Sequence, residues 1–384
     1  MARPHDLARG MKQWFSGWRG LGRFWAGVGG VLVLALGTAQ VLGPPAPSSV
    51  SRGALPTVPS PIAAPLTGTA ATGAAATGAA ATGGSAPKQV AATQHALPAS
   101  ALLSRPGRDL PGPISDTDPA LLEPAPGLPE AMLPRIAADG RMPMQVYAGA
   151  FDRTTRRARV GLLIAGIGMS AADSGSAIRA LPAGITLAVS PYGGNFEKIL
   201  SAARLAEHEY LLSLPMEPEG YPLNDPDSRH ALMTDLPPEE NLQHLRWALS
   251  RFGGYAGATS VLGQNLKGER FAAMSDQMEA TMTELAHRGL LFVDARLGQK
   301  ALPGIWSRSI DLVIDDQPNQ ADVDAKLEQL GRLARDRGAA LGVVMVPRPV
   351  TIDRVAAWTN GLTDKGLVLA PVSALALPPA GVEN

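Results

Sequence analysis

The stretch VGLLIAGIGMS, Val160 to Ser170, decides how this chain is read. Val160-Gly161-Leu162-Leu163-Ile164 has the composition of a strand buried on both faces, and it delivers Ala165-Gly166-Ile167-Gly168. With Ala171 the glycines complete G-x-G-x-x-A after a strand, the fingerprint of a dinucleotide-binding turn. As a place in a chain, the same residues are a strand end that carries no side chain fit for chemistry. The two readings lead to different proteins.

Outward from this stretch the sequence alternates between strand and helix patterns from Ala131 onward. Apolar strand-like runs occur at Val160 to Ala165, Ile185 to Ser190, Tyr210 to Leu214, Ala256 to Ser260, Leu290 to Asp294, Ile310 to Ile314, Leu341 to Val346 and Leu367 to Leu369. Between them, Leu242, Leu245, Leu249 and Phe252 share a helix face that opens behind Pro237 and Pro238, and Val323, Leu327, Leu330 and Ala334 repeat the spacing. Met274, Met278, Met282 and Leu285 make a third stripe, read as core. This alternation predicts an α/β fold with a parallel sheet covered by helices, a (β/α) barrel of seven or eight parallel strands, with an open doubly wound sheet as the alternative. In both folds ligands sit at the C-terminal ends of the strands.

That expectation tests the dinucleotide reading. A nucleotide fold places Asp or Glu at the end of its second strand to hold the ribose hydroxyls. Here the second strand is ITLAVS, Ile185 to Ser190, followed by Pro191 and Tyr192, and no carboxylate stands there. A dinucleotide-binding oxidoreductase is therefore the less favoured reading. A purely structural one is that Gly166 and Gly168 turn the chain off a crowded barrel rim.

Upstream the texture differs. FWAGVGGVLVLALGTAQVL, residues 24–42, carries no charge and at 1.5 Å per residue reaches roughly 29 Å, enough to cross a hydrocarbon core. Arg3, Arg9, Lys12, Arg19 and Arg23 precede it against Asp6 alone, which places the N-terminus in the cytoplasm and everything after Leu42 outside. A cleaved signal peptide, using Gly37-Thr38-Ala39, exports the domain equally. Residues 43–130 are rich in Pro, Ala, Gly and Thr, with an ATGAA repeat from Ala71 to Gly84, a composition predicted to form a disordered tether. The expected organisation is a cytoplasmic basic segment (1–23), a membrane helix (24–42), this linker and a barrel over 133–380. The location follows: single-pass in a bacterial inner membrane, with a periplasmic domain.

Composition narrows the chemistry. Lys plus Arg and Asp plus Glu both number 34, so the net charge is zero, which argues against nucleic acid as a partner. There is no cysteine, which excludes disulfides, thiolate metal sites and cysteine nucleophiles.

In order along the chain, LPRIAADGRMP (133–143), VGLLIAGIG, LPAGITLAVSPYG (181–193), HEYLLSLPMEP (208–218), LMTDLPPEENLQHLRWALSRFGGYAGA (232–258), MEATMTELAHRGLLFVDAR (278–296) and VLAPVSALA (368–376) resemble the divergent polysaccharide deacetylase family, within the glycoside hydrolase/deacetylase barrel superfamily. The resemblance implies an amide hydrolase of N-acetylated glycans in carbohydrate or cell-envelope metabolism. It also implies a divalent metal held by Asp and two His, which lowers the pKa of its bound water. This sequence departs at each matching position. Ala165 and Gly166 stand for the Asp pair, Ser213 for the His before L-P-M-E-P, and Val261 and Val346 for later histidines.

No cofactor and no metal ligand is therefore expected. The candidate catalytic residues that remain are Glu217, Asp294, Arg296, Asp315 and Asp316, which follow apolar strands, with Tyr192, Ser213 and Tyr221 as candidate substrate contacts and Trp306 as a further stacking surface. Paired carboxylates could do metal-free acid/base work or bind sugar hydroxyls; alternatively, Asp294 and Arg296 pair with each other at the rim. Two functions stay open: a hydrolase of the family's type, and an inactive barrel that binds a glycan or an envelope protein.

Overall fold

The computed structural model describes residues 104–381. The basic segment, the membrane helix at 24–42 and the linker up to residue 103 lie outside the described residues. Among the described residues no helix is long and apolar enough to cross a membrane.

Nine parallel strands make the main sheet: β1 (Ala158–Ile167), β2 (Thr186–Val189), β3 (Tyr210–Ser213), β4 (Gly257–Thr259), β5 (Leu291–Asp294), β6 (Ser307–Ser309), β7 (Leu312–Val313), β8 (Ala339–Val344) and β9 (Leu367–Leu369). Eight of them form one hydrogen-bonded path in the order β6-β5-β4-β3-β2-β1-β8-β7, and β9 pairs with the first residues of β1. The two ends of the path, β6 and β7, are consecutive in the chain. Ile310 N–H donates to Asp294 O at 3.1 Å while Asp311 N–H donates to Leu341 O at 2.8 Å, so one short run serves both edges. The sheet is thus a parallel α/β barrel with a seam between β6 and β7. The strand expected over 310–314 is shortened to Leu312–Val313, which pairs with β8, and a separate strand at Ser307–Ser309 just before it pairs with β5.

Period-two alternation sorts the side chains. Leu162, Ile164, Leu212, Phe292, Ile314 and Val344 face the helix layer. Leu163, Ala165, Leu211, Val293, Val313 and Val343 face the barrel interior. Both clusters are closed to solvent, and each fully buried Leu or Ile contributes about 1.5–3 kcal/mol. The helices obey local signals. Ser170 accepts from Asp173 N–H at 3.3 Å to start Ala171–Ala180, and Asn319 accepts from Asp322 N–H at 3.0 Å to start Gln320–Arg337. Val323, Leu327, Leu330 and Ala334 are all buried, as their spacing requires. Met278, Met282 and Leu285 are buried on Ser275–His287, whereas Met274 precedes that helix and is exposed.

One boundary moves. Residues 104–130, expected as the end of a disordered linker, are packed: Leu121 and Ile114 are buried, and Leu122–Pro124 pairs antiparallel with Met132–Pro134. Composition averaged over a long Pro-rich window hid a few apolar anchors.

Candidate functional site

At the end of β1 the chain turns through Gly166 (φ +76) and Gly168 (φ +94), a left-handed conformation suited to glycine. A β-carbon on Gly166 would lie 3.2 Å from Pro347 Cδ. A β-carbon on Gly193 would lie 2.7 Å from Gly168 O, so the loop after β2 is packed on this turn. Gly168 N–H donates to Ser174 Oγ at 2.9 Å. With backbone against backbone and that amide taken, the turn has no cradle for a pyrophosphate. The glycines serve close packing at the rim.

The candidate carboxylates are each held by protein groups. Glu217 is buried and accepts from Thr234 N–H and Oγ1, both at 2.7 Å, and from Arg270 Nη1 at 2.8 Å. Together with Leu232 N–H to Pro215 O and Glu217 N–H to Leu232 O, this fastens the loop after β3 back onto its strand end. Asp294 is buried and takes Arg296 through Nε at 3.1 Å and Nη2 at 2.7 Å. Its neighbours Val293 and Ala295 face the interior, so alternation turns Asp294 toward the helix layer, off the barrel axis. Asp315 has the opposite parity. Its neighbour Ile314 faces the helices, and its own carboxylate accepts from Met345 N–H at 2.8 Å and Val346 N–H at 3.0 Å. Burial pushes the Asp315 carboxyl above the usual range, although both amides oppose the shift. Asp316 is exposed and lies 3.2 Å from Lys326 Nζ.

Of the candidate contacts, Tyr192 donates its hydroxyl to Pro226 O at 2.7 Å, and burial pushes that phenol upward. Its ring lies 5.6 Å from Trp247, whose other neighbours are His230, stacked at 4.1 Å, and Arg251, 5.3 Å from the ring centre. Tyr221 stands half-buried in the loop after β3. Trp306 is buried in the interior cluster and offers no stacking face to solvent. Ser213, the last residue of β3, shares the parity of interior Leu211; it is buried and its Oγ has no hydrogen-bond partner among the described residues.

Sequence reasoning missed Arg348. It follows β8, yet its Nη2 donates to Gln264 Oε1 at 3.0 Å in the loop after β4, on the opposite side of the strand order. The side chain therefore crosses the C-terminal mouth of the barrel. Its Nη1 is buried and forms a long ion pair with Asp315 Oδ2 at 3.6 Å, with no hydrogen-bond partner among the described residues. A charged residue two past the end of an apolar strand is the signal that could have drawn attention to it. Two cavities, of about 560 and 370 Å³, flank helix Ser275–His287 in the outer layer; the smaller reaches Arg296.

The metal that the fold family implies does not fit these residues. Gly166 and Val261 offer no ligand atom from their side chains, Pro347 crowds the space beside Gly166, and no group of three or more His, Asp or Glu able to hold an ion occurs among the described residues. His208 sets its ring nitrogens 3.0 and 3.2 Å from the carbonyls of Ile185 and Ile178 and donates from whichever carries the proton, just ahead of β3, at the end of the strand away from the mouth.

Comparison with known proteins places this geometry. The family model described as divergent polysaccharide deacetylase matches residues 162–376. The uncharacterized protein ATU2773 from Agrobacterium tumefaciens C58 has a crystal structure that superposes with a TM-score of 0.59; it is 31% identical, and the match covers 64% of this chain and 99% of that one. The uncharacterized protein YibQ of Escherichia coli strain K12 is 24% identical over 182 residues, 46% of this chain and 54% of YibQ. This chain thus spans about half the length of that curated relative.

Proposed function

This chain belongs to the divergent polysaccharide deacetylase family, and from that premise we propose that its barrel receives a cell-wall or envelope glycan at the C-terminal ends of its strands without metal-dependent hydrolysis. The observation that carries this reading is the contact of Gly166 with Pro347. A backbone with φ +76 and a proline 3.2 Å from the β-carbon position make an acidic side chain there strained and crowded. The buried, unpaired Ser213 hydroxyl supports the binding half of the reading. An orphaned buried hydroxyl costs about 1–3 kcal/mol, a cost that a ligand at the mouth would remove.

The same reading gives the domain a place. The uncharged stretch at 24–42, with basic residues before it, supports a single inner-membrane anchor with the barrel on the periplasmic side, tethered by the Pro- and Ala-rich segment. Phosphatase fused after residue 130 is then active only outside the cytoplasm. The function itself is tested by co-sedimenting the full chain with insoluble peptidoglycan and chitin while acetate is assayed. Binding without acetate release is expected; failure to sediment with either polymer removes the reading.

A further inference from the structure

Two buried donors at the barrel mouth have no hydrogen-bond acceptor among the described residues. Ser213 Oγ projects inward from the last position of β3, and Arg348 Nη1 belongs to the guanidinium whose Nη2 reaches across to Gln264. Buried polar atoms in native proteins are nearly all satisfied, and exceptions point to an absent water, ion or ligand. A barrel of eight strands has room inside for its own side chains or for one small group, and both donors belong to the C-terminal end of this one.

The guanidinium decides the ligand's chemistry. Its Nη2 is engaged by Gln264, and Nη1 is left with a long ion pair, 3.6 Å from Asp315 Oδ2, whose two oxygens also accept from the amides of Met345 and Val346. A charge-assisted N–H left open is best met by an anionic oxygen. Arginine is the side chain suited to planar carboxylates. Where the family has a metal cation at this face, this chain has a fixed organic cation.

We propose that the mouth of this barrel is a carboxylate-binding site in which Arg348 Nη1 and Ser213 Oγ donate to a carboxylate arm of the bound sugar. This rests on the reading of the face as a glycan site and narrows it to acidic sugars.

The test uses the full chain and three probes by titration calorimetry and ligand-observed NMR: N-acetylglucosamine, N-acetylmuramic acid, which adds a lactyl carboxylate, and lactate alone. N-acetylmuramic acid is expected to bind at least tenfold more tightly than N-acetylglucosamine. Arg348→Ala should erase that difference, and Ser213→Ala, which removes a buried orphan and so leaves the fold intact, should weaken N-acetylmuramic acid severalfold. Equal binding of the two sugars overturns the carboxylate site and leaves the glycan reading standing. Lactate binding that depends on Arg348, with neither sugar bound, keeps the site and overturns the glycan reading. No binding of any probe, with only water at the two donors, overturns both.

Discussion

Pro347 crowds the place of a side chain on Gly166, its Cδ 3.2 Å from the position of a β-carbon there. The two residues lie at the C-terminal ends of neighbouring strands, β1 and β8. Restoring the acidic residue is therefore expected to fail structurally. Gly166→Asp meets both this contact and a left-handed φ, and strain of that kind costs about 1–3 kcal/mol. Urea unfolding should show the loss, and the variant should take up no zinc. A Gly166→Asp protein as stable as the parent would mean that the rim repacks easily.

Asp294 and Arg296 form a two-bond ion pair on the helix-facing side of β5. Asp294→Asn keeps the shape but leaves a partly buried guanidinium without its anion, at a cost of about 1–3 kcal/mol. The same variant should bind glycan as the parent does. Loss of binding with unchanged stability would put this pair at the ligand after all.

Glu209, directly ahead of β3, is fully buried and accepts from Gly149 N–H, Thr186 Oγ1 and Ser373 N–H at 2.9, 3.0 and 3.1 Å. Burial nevertheless dominates and raises its pKa above the ordinary 4.5. A carboxyl raised in the fold binds its proton more tightly when folded. Its contribution is therefore complete below pH 4.5 and is lost as pH climbs through the folded value. Chemical unfolding from pH 4 to 8 should show the parent losing stability relative to Glu209→Gln as pH rises. A difference independent of pH would mean that Glu209 titrates as it does in the unfolded chain.

Much of the fold is legible in the residue order. The eight apolar runs mark the strands because a parallel strand buried on both faces needs a near-continuous apolar sequence, and Val323, Leu327, Leu330 and Ala334 mark a helix because their spacing matches its turn. The site is harder to read. Asp294 and Asp315 look equivalent in sequence, each after an apolar run, and only the register of β5 and β7 sends one outward and the other inward. Arg348 follows an apolar run and could have been noticed for that, but its reach across the mouth depends on Gln264, 84 positions away. Segment 104–130 looks like linker because its packing depends on isolated residues such as Leu121 rather than on any periodicity.

The central claim is that this barrel keeps the family's face and has lost its metal chemistry. The direct measurement is metal content of the purified full chain by mass spectrometry, alongside acetate release from chitooligosaccharides and peptidoglycan fragments with and without EDTA. Less than a tenth of an equivalent of zinc and no EDTA-sensitive acetate are expected, since carboxylates without histidines hold hard ions weakly. One tightly bound zinc per chain, or acetate release that EDTA stops, would contradict the account.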